Sequence, residues 1–379
     1  MSARVPRRRT TLFTGSARTE PVVAALTAGR RAAAVVDARL VDRADRLAGV
    51  DLVLPVDADA VDAATVALLS KRLRAHRSDV IVVIGGGTAM DAAAVAAVGV
   101  TAPRTLEWAL DRAAHSAVVA LPADAVPGLD VVAVPTTLGT SAECNAVAIV
   151  RATGGASLLL GEALRPRYAI LDDVHYRTLA ALDVRSACLE AVLRLAGAST
   201  AARSHRRAHA HAVALGRALI SLGDGALTDA VRLRIARCNA ATQRSAALRG
   251  RAPFSPRHWY LAHEVSFVAR TTKMRATAAI IGRVWQCIEE GDTRWGDAGP
   301  LETFWREAAH DAPLPLTPAA GIDALIARWE LPSASMPDAD ARASMARRAE
   351  QRWGGRGPAL PGLHAADFRD LLEGARWQR

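Results

Sequence analysis

A glycine-rich segment at residues 81–91, IVVIGGGTAMD, has the composition of a phosphate-binding loop. A continuous apolar run leads directly into Gly85, Gly86 and Gly87, and an Ala-rich helical pattern follows at once. Glycine adopts backbone angles closed to other residues and lets a ligand approach the main chain. A helix start adds unpaired N–H groups and a partial positive charge. The pattern predicts that the pyrophosphate of a dinucleotide binds here, with a plain tight turn as the alternative.

Two further groups of polar side chains follow apolar runs. Asp37 ends the run AAAVVD. A carboxylate there accepts hydrogen bonds from a ribose and repels a 2′-phosphate, which favours NAD over NADP; an ordinary helix cap is the alternative. In VPTTLGTSAE the hydroxyls of Thr136, Thr137 and Thr140 suit polar contacts to adenine or ribose, although alone they indicate only a turn.

The elements that must position these loops are alternating strands and helices. Apolar runs lie at residues 32–37, 80–84 and 131–134, and helical patterns at 20–31, 59–76 and 89–99. Continuous apolar strands separated by helices predict a parallel sheet covered on both faces. After about residue 177 strand signals nearly vanish, and helical patterns fill the chain. We therefore predict a Rossmann-like α/β dinucleotide-binding domain at residues 1–176 and an all-α substrate or catalytic domain at residues 177–379.

Composition excludes several classes of protein. The net charge is +10, but the basic residues are spread along the chain and no nucleic-acid-binding motif accompanies them, so we expect no nucleic-acid partner. The four cysteines lie far apart without a CxxC pair, which is typical of reduced thiols in the cytoplasm. No uninterrupted apolar run is long enough to span a bilayer, so we expect no membrane association.

Together the motifs resemble the superfamily of iron-containing alcohol dehydrogenases, glycerol dehydrogenases and dehydroquinate synthases. Its Gly-Gly-Gly-Ser-x-x-Asp pattern is similar to Gly85, Gly86, Gly87 and Thr88 followed by Asp91, and its Pro-Thr-Thr-x-Gly-Thr-x-x-Glu pattern to Pro135–Glu143. The superfamily's other N-terminal features are matched by the turn at residues 14–16, by Asp37 and by the Ala-x-Leu-Asp run at residues 169–172. The resemblance implies that these residues bind NAD. It also implies a reaction centre in a cleft between the two domains, and a homodimer.

The resemblance further implies a divalent metal, bound by an Asp, by a His four residues later, and by two more His residues. The corresponding positions here hold Glu190, Arg194, Trp259 and Lys273, and a further active-site His is matched by His263. Arg and protonated Lys offer no lone pair to a metal. Only Glu190 is a ligand type, so we predict no catalytic metal; a site rebuilt from His258, His263 and Glu190 is the alternative.

Fixed positive charges can replace a metal that stabilises an alkoxide. We predict that Lys273 is the general acid/base or oxyanion partner and that His263 is the proton relay. Arg194, one helical turn from Glu190 and able to pair with it, would anchor a substrate carboxylate. The alternative is that Glu190 and Arg194 form a plain salt bridge and Lys273 is a surface residue.

The predicted function is NAD-dependent, metal-independent oxidation of a secondary alcohol on a small molecule or peptide that carries a carboxylate. One branch of the resembled superfamily occurs in peptide natural-product clusters. A C-terminal Thr of a ribosomal peptide, oxidised and then decarboxylated, is one such substrate, with a partner protein from the same pathway. The alternatives are a cyclase like dehydroquinate synthase, although the Lys of that family is Ala94 here, and a catalytically inactive partner protein that keeps the fold.

Overall fold

The computed structural model describes residues 9–125, 129–152, 154–200 and 205–378. The chain divides into two units. The first comprises the residues up to Leu179 together with Thr228–Ala240, and the second comprises Ala180–Leu227 and Ala241–Arg379. The predicted domain boundary after residue 176 stays a prediction; the return of Thr228–Ala240 to the first unit has no signal in the sequence.

The first unit contains all nine strands of the described residues. They are β1 (Thr11–Gly15), β2 (Ala32–Asp37), β3 (Val50–Val56), β4 (Val80–Gly85), β5 (Val118–Ala120), β6 (Asp130–Pro135), β7 (Val147–Ala152), β8 (Gly155–Leu160) and β9 (Tyr168–Asp172). Its helices are α1 (Thr19–Thr27), α2 (Val41–Ala44), α3 (Ala63–His76), α4 (Gly87–Thr101) and α5 (Pro103–His115).

Six strands form one sheet in the order β1-β9-β6-β4-β2-β3, and every neighbouring pair is parallel. The side chains of β4 alternate between two cores. Ile81 and Val83 pack with apolar residues of α3, α4 and α5, whereas Val80, Val82 and Ile84 pack with Val23 of α1 and with Ala44 of α2. Because both faces are covered, the central strands β2, β4 and β6 are buried along almost their whole length. The predicted fold class of this part is confirmed.

A second, three-stranded sheet has the order β5-β8-β7. Residues 104–130 contain most of α5 and all of β5, whose Leu106, Ala109 and Val119 are buried in the core. This segment is therefore part of the scaffold; residues 126–128 lie outside the described part of the chain. The strand β8 was not predicted, because it begins with Gly-Ala-Ser and only its last three residues are strongly apolar.

The second unit is helical, as predicted. Its helices are α6 (Ala181–Ser199), α7 (Arg206–Asp224), α9 (His258–Val268), α10 (Lys273–Glu289), α11 (Ala298–Ala308), α12 (Pro318–Arg328), α13 (Ala339–Arg352) and α14 (Ala365–Glu373); helix α8 (Asp229–Arg244) has residues in both units. Helix α6 packs against α7 and α11, and α9 packs against α10 and α13. Every helix in the described ranges is too short or too polar to cross a lipid bilayer.

Gly197 on α6 tests the packing of this helix against Pro256, which lies just before α9. A Cβ atom at Gly197 would lie 2.0 Å from Cβ of Pro256, so Gly197→Ala forces the two segments apart. We expect the variant to lower the free energy of unfolding by about 1–3 kcal/mol. Gly299→Ala is the matched control, because nothing lies within 4 Å of its Cβ position. It should leave stability unchanged or raise it by up to about 1 kcal/mol. Chemical denaturation followed by circular dichroism measures both, and equal effects would contradict this packing.

Candidate functional site

The glycine-rich loop joins the end of β4 to the start of α4. Gly85 ends the strand, and Gly86 is the N-cap of the helix, in extended conformation and with no side chain to satisfy the first-turn N–H groups. The first four N–H groups of a helix have no partner within it. An anionic group of a ligand can therefore bind at this end of α4. Binding of a pyrophosphate here stays a prediction.

The two predicted nucleotide motifs lie against each other. Gly85 pairs with Pro135 in the sheet, so the loops after β4 and β6 are neighbours. A Cβ atom on Gly86 would lie 3.1 Å from Oγ1 of Thr137, and one on Gly87 would lie 3.2 Å from Cγ2 of Thr140. The glycines thus let the threonine loop approach the main chain of the first loop. A larger side chain would fill the space that a bound pyrophosphate needs.

The remaining predicted nucleotide residues divide into two groups. Asp37 ends β2, the other neighbour of β4, so it lies at the same edge of the sheet. Its Oδ1 accepts a hydrogen bond from the backbone of Arg39, so the carboxylate is a helix cap whatever else it binds. Thr88 is half-buried in the first turn of α4, and Thr136 is buried after β6.

Asp91 serves the scaffold. Its Oδ2 accepts a hydrogen bond of 2.9 Å from the backbone N–H of Ile149, which ties α4 to strand β7. The loops after β2, β4 and β6 therefore fit a dinucleotide, and Asp91 holds the helix that carries one of them.

A buried polar cluster joins the ends of β1 and β9. Asp172 accepts hydrogen bonds from the backbone and hydroxyl of Thr19 and from the backbone of Ala17. Burial raises the pKa of Asp172, but the hydrogen bonds outweigh it, so the pKa is below its ordinary value. His175 bonds Thr19 through Nε2 at 2.8 Å and Arg43 through Nδ1. Since the Thr19 hydroxyl donates to Asp172 and Arg43 can only donate, we assign the neutral tautomer of His175 with its proton on Nε2.

His175 makes a pH-dependent contribution to stability. Burial and the nearby Arg43 lower the pKa of His175 to about 4. Between its ordinary pKa of about 6.5 and about 4, the unfolded chain binds a proton that the folded chain does not. The free energy of unfolding therefore falls with decreasing pH, by up to about 1.4 kcal/mol per pH unit from this residue.

The variant His175→Gln removes this titration. We expect a shallower dependence of unfolding free energy on pH between about 6.5 and 4, measured by denaturation at a series of pH values. The exposed His310 gives the control His310→Gln, which should keep the slope of the parent protein. An unchanged slope in His175→Gln would contradict this contribution.

The four positions where the resemblance implies metal ligands come together in the second unit. Nζ of Lys273, the first residue of α10, donates to Oε1 of Glu190 on α6 at 2.6 Å. Nζ of Lys273 lies 5.1 Å, and Cζ of Arg194 lies 5.7 Å, from the ring centroid of Trp259 on α9. Both distances are within the range of cation–π interactions. Arg194 is 2% exposed, and its guanidinium also donates to Thr242. Lys273 is therefore no ordinary surface residue.

The charges of this cluster depend on one another. Burial raises the pKa of Glu190, but Lys273 and Arg194 outweigh it, so the pKa is lowered and the carboxylate stays ionised. Burial, helped by Lys273, lowers the pKa of both His258 and His263 to about 3. Both imidazoles are neutral at physiological pH.

A metal ion does not fit these residues. Arg194, Trp259 and Lys273 have no lone pair for a cation, and Glu190 is engaged by Lys273. Among the described residues, no three side chains of His, Cys, Asp or Glu lie close enough to hold an ion. The alternative ligand set of His258, His263 and Glu190 is therefore not assembled in this structure.

The support for His263 was not predicted. Its ring stacks on Trp353 of α13, with centroids 6.3 Å apart. The buried Glu264 accepts from Trp353 Nε1 at 2.8 Å and from Arg348 at 2.8 Å, which ties α13 to α9. These partners lie more than 80 residues apart in sequence, so no spacing pattern indicates them.

Known proteins resemble this chain in sequence and in fold. The family model for iron-containing alcohol dehydrogenases matches residues 10–173. This part of the chain is therefore similar in sequence to the iron-containing alcohol dehydrogenases. A phosphonoacetaldehyde reductase of Streptomyces viridochromogenes is 39% identical over 145 residues, which are 37% of this chain and 35% of that protein. The chain thus spans about a third of the length of this curated relative.

Solved structures share the fold over nearly the whole chain. The NADH-dependent butanol dehydrogenase A of Thermotoga maritima superposes with a TM-score of 0.81 at 14% identity, covering 99% of both chains. The sulfoacetaldehyde reductase of Bifidobacterium kashiwanohense, solved in complex with NAD⁺, gives 0.76 at 14% identity, also covering 99% of both. The maleylacetate reductase of Agrobacterium tumefaciens gives 0.73 at 18% identity over 99% of both. At these identities the likeness shows the fold.

The Glu190–Lys273 pair can be tested by a double-mutant cycle. Lys273→Met leaves the buried carboxylate without its hydrogen-bonded cation, and we expect it to lower the unfolding free energy by about 1–3 kcal/mol. Adding Glu190→Gln should cost less than the sum of the two single changes. The only other lysine is the exposed Lys71, so Lys71→Met is the control and should stay within about 0.5 kcal/mol of the parent. Strict additivity in the cycle would show that the pair is not coupled.

Proposed function

We propose that the protein is an NAD-dependent, metal-independent oxidoreductase that oxidises a secondary alcohol bearing an acidic group. The observation that carries the proposal is the Lys273–Glu190 ion pair beside Arg194 and Trp259, at the positions where the superfamily pattern implies metal ligands. A cationic cluster that excludes a metal can still stabilise an oxyanion.

Each charged side chain has a task in this proposal. Bound NAD would supply the hydride acceptor. Lys273 stabilises the alkoxide oxygen that forms as the hydroxyl proton leaves. His263 is neutral because burial lowers its pKa to about 3, so in this proposal it accepts the hydroxyl proton at one ring nitrogen while it releases a proton from the other to solvent. Arg194 is 2% exposed and adds a positive potential that favours an acidic group on the substrate.

The relatives support a substrate with an acidic group. Phosphonoacetaldehyde, sulfoacetaldehyde and maleylacetate, which give three of the related reductases their names, each carry an acidic group near the carbonyl. A 3-hydroxy acid is an alcohol of this class, and its oxidation gives a 3-keto acid that loses carbon dioxide. A C-terminal Thr of a peptide has this arrangement, so it is the peptide substrate that we propose, in natural-product biosynthesis.

The decisive experiment measures cofactor turnover. The purified protein, NAD and a panel of 3-hydroxy acids, including a peptide with a C-terminal Thr, should produce NADH together with the ketone. A cyclase would recycle the cofactor with no net NADH, and an inactive partner protein would do neither. Net NADH formation therefore separates the proposal from both alternatives.

Metal independence has its own test. Activity should survive prolonged treatment with a chelator, and elemental analysis of the active protein should find no stoichiometric zinc or iron. One tightly held zinc or iron per chain, or activity lost to the chelator and restored by the metal, would overturn this part of the proposal.

A further inference from the structure

Two buried polar atoms beside the cationic cluster have no hydrogen-bond partner among the described residues. They are Nε1 of Trp259 and Nε2 of His258. His258 is 3% exposed, so bulk water does not satisfy its ring. Unsatisfied buried polar groups are uncommon in folded proteins, and each one requires an explanation.

Other buried tryptophans in the same unit do not share this feature. The indole N–H of Trp305 donates to the carbonyl of Pro315 at 2.9 Å, that of Trp329 to Asp224 at 2.8 Å, and that of Trp353 to Glu264 at 2.8 Å. The fold of this unit thus provides acceptors for buried indole N–H groups. Trp259 is an exception, and it lies at the cationic cluster.

The surroundings of Trp259 define what can satisfy it. The rings of His258 and Trp259 meet edge to face at 5.8 Å, and Nζ of Lys273 lies 5.1 Å from the indole centroid. An ammonium carries three N–H bonds, and Glu190 takes one of those of Lys273, whose side chain is 25% exposed.

The chemistry of these donors selects an anion. Indole and ammonium groups only donate hydrogen bonds, and the neutral His258 can donate from Nε2. A partner for all three must accept hydrogen bonds at two or more atoms and carry negative charge opposite Lys273. A carboxylate, a phosphonate or a sulfonate has these properties, whereas an alcohol or an amide does not.

We propose that Trp259 Nε1–H and His258 Nε2, together with the ammonium of Lys273, form a receptor for the acidic group of the substrate. The inference deepens the proposed function and rests on it for the identity of the ligand as substrate. Trp259 is then a binding residue in its own right: its ring lies beside the two cations and its N–H holds an oxygen of the ligand.

Trp259→Phe tests the receptor, since it keeps an aromatic ring beside the cations and deletes the N–H. The probes are malonate, phosphonoacetate and sulfoacetate, with uncharged malonamide as the control ligand, titrated into the full-length protein by isothermal calorimetry. We expect at least one anion to bind the parent protein and malonamide not to bind. Trp259→Phe should raise the Kd of that anion by about tenfold or more, and His258→Phe should act in the same direction. The preferred anion identifies the acidic group.

Trp305→Phe is the matched control. It deletes an indole N–H that has an acceptor, so it should lower the melting temperature and leave anion affinity unchanged. Trp259→Phe should weaken anion binding and leave the melting temperature nearly unchanged, because its N–H has no protein partner to lose. If no anion binds the parent protein, or if Trp259→Phe binds the anion as tightly as the parent does, the receptor is rejected.

Parallel assays of NADH formation keep the two proposals apart. Turnover of an acidic alcohol with unchanged KM in Trp259→Phe would leave the oxidoreductase standing and reject the receptor. Anion binding that depends on Trp259, without turnover of any acidic alcohol, would support the receptor and reject the oxidoreductase.

Discussion

Charges buried in the helical unit need partners, and this requirement governs the candidate site. An ionised carboxylate at 5% exposure is costly unless a cation and hydrogen bonds compensate it, and Lys273 does this for Glu190 at 2.6 Å. Arg194 adds further positive potential, which lowers the pKa of the same carboxylate. The side chains at the positions of the superfamily's metal ligands thus stabilise one another.

A cationic cluster and a metal ion differ in the chemistry that they can perform. A divalent ion would concentrate two charges at one point, whereas here the charge is divided between an ammonium and a guanidinium, 5.1 Å and 5.7 Å from the centroid of one indole ring. Ammonium and guanidinium groups bind oxygen by directed hydrogen bonds. If the proposed receptor is correct, donors distributed in this way suit a group with several oxygens better than a single hydroxyl.

The nucleotide loops depend on a different constraint, which is the direction of the strands. In a parallel sheet all carboxyl ends lie at one edge, so loops far apart in sequence become neighbours. Asp37, Gly85 and Pro135 end three adjacent strands although nearly 100 residues separate the first from the last. The glycines then let the threonine loop and the helix start approach each other, and Asp91 fixes that helix to the second sheet.

Much of this arrangement follows from local sequence. Apolar runs such as Val80–Gly85 determine buried strands because only a sheet covered on both faces accommodates them. The glycines after this run place a helix start without a side-chain cap directly after the strand. The predicted ends of helices were less accurate. The helix expected at residues 20–31 ends at Thr27, because the backbone at Gly29 has a positive φ of 70° that does not continue a helix. The sequence also indicated that Arg194, Trp259 and Lys273 are not metal ligands, because residue type alone decides whether a side chain can bind a metal.

Only the tertiary structure decided which groups meet. The sequence offered Arg194 as the partner of Glu190 because they are one helical turn apart, but the hydrogen bond of 2.6 Å comes from Lys273, 83 positions away. No spacing pattern indicated a role for His258, and Trp259 was noted only because the resemblance implies a metal ligand at its position. No pattern connected His263 to Trp353. Sequence determines what each side chain is able to do, because that is a property of its own atoms. Packing determines whether a buried N–H finds an acceptor, because the acceptor lies on another helix.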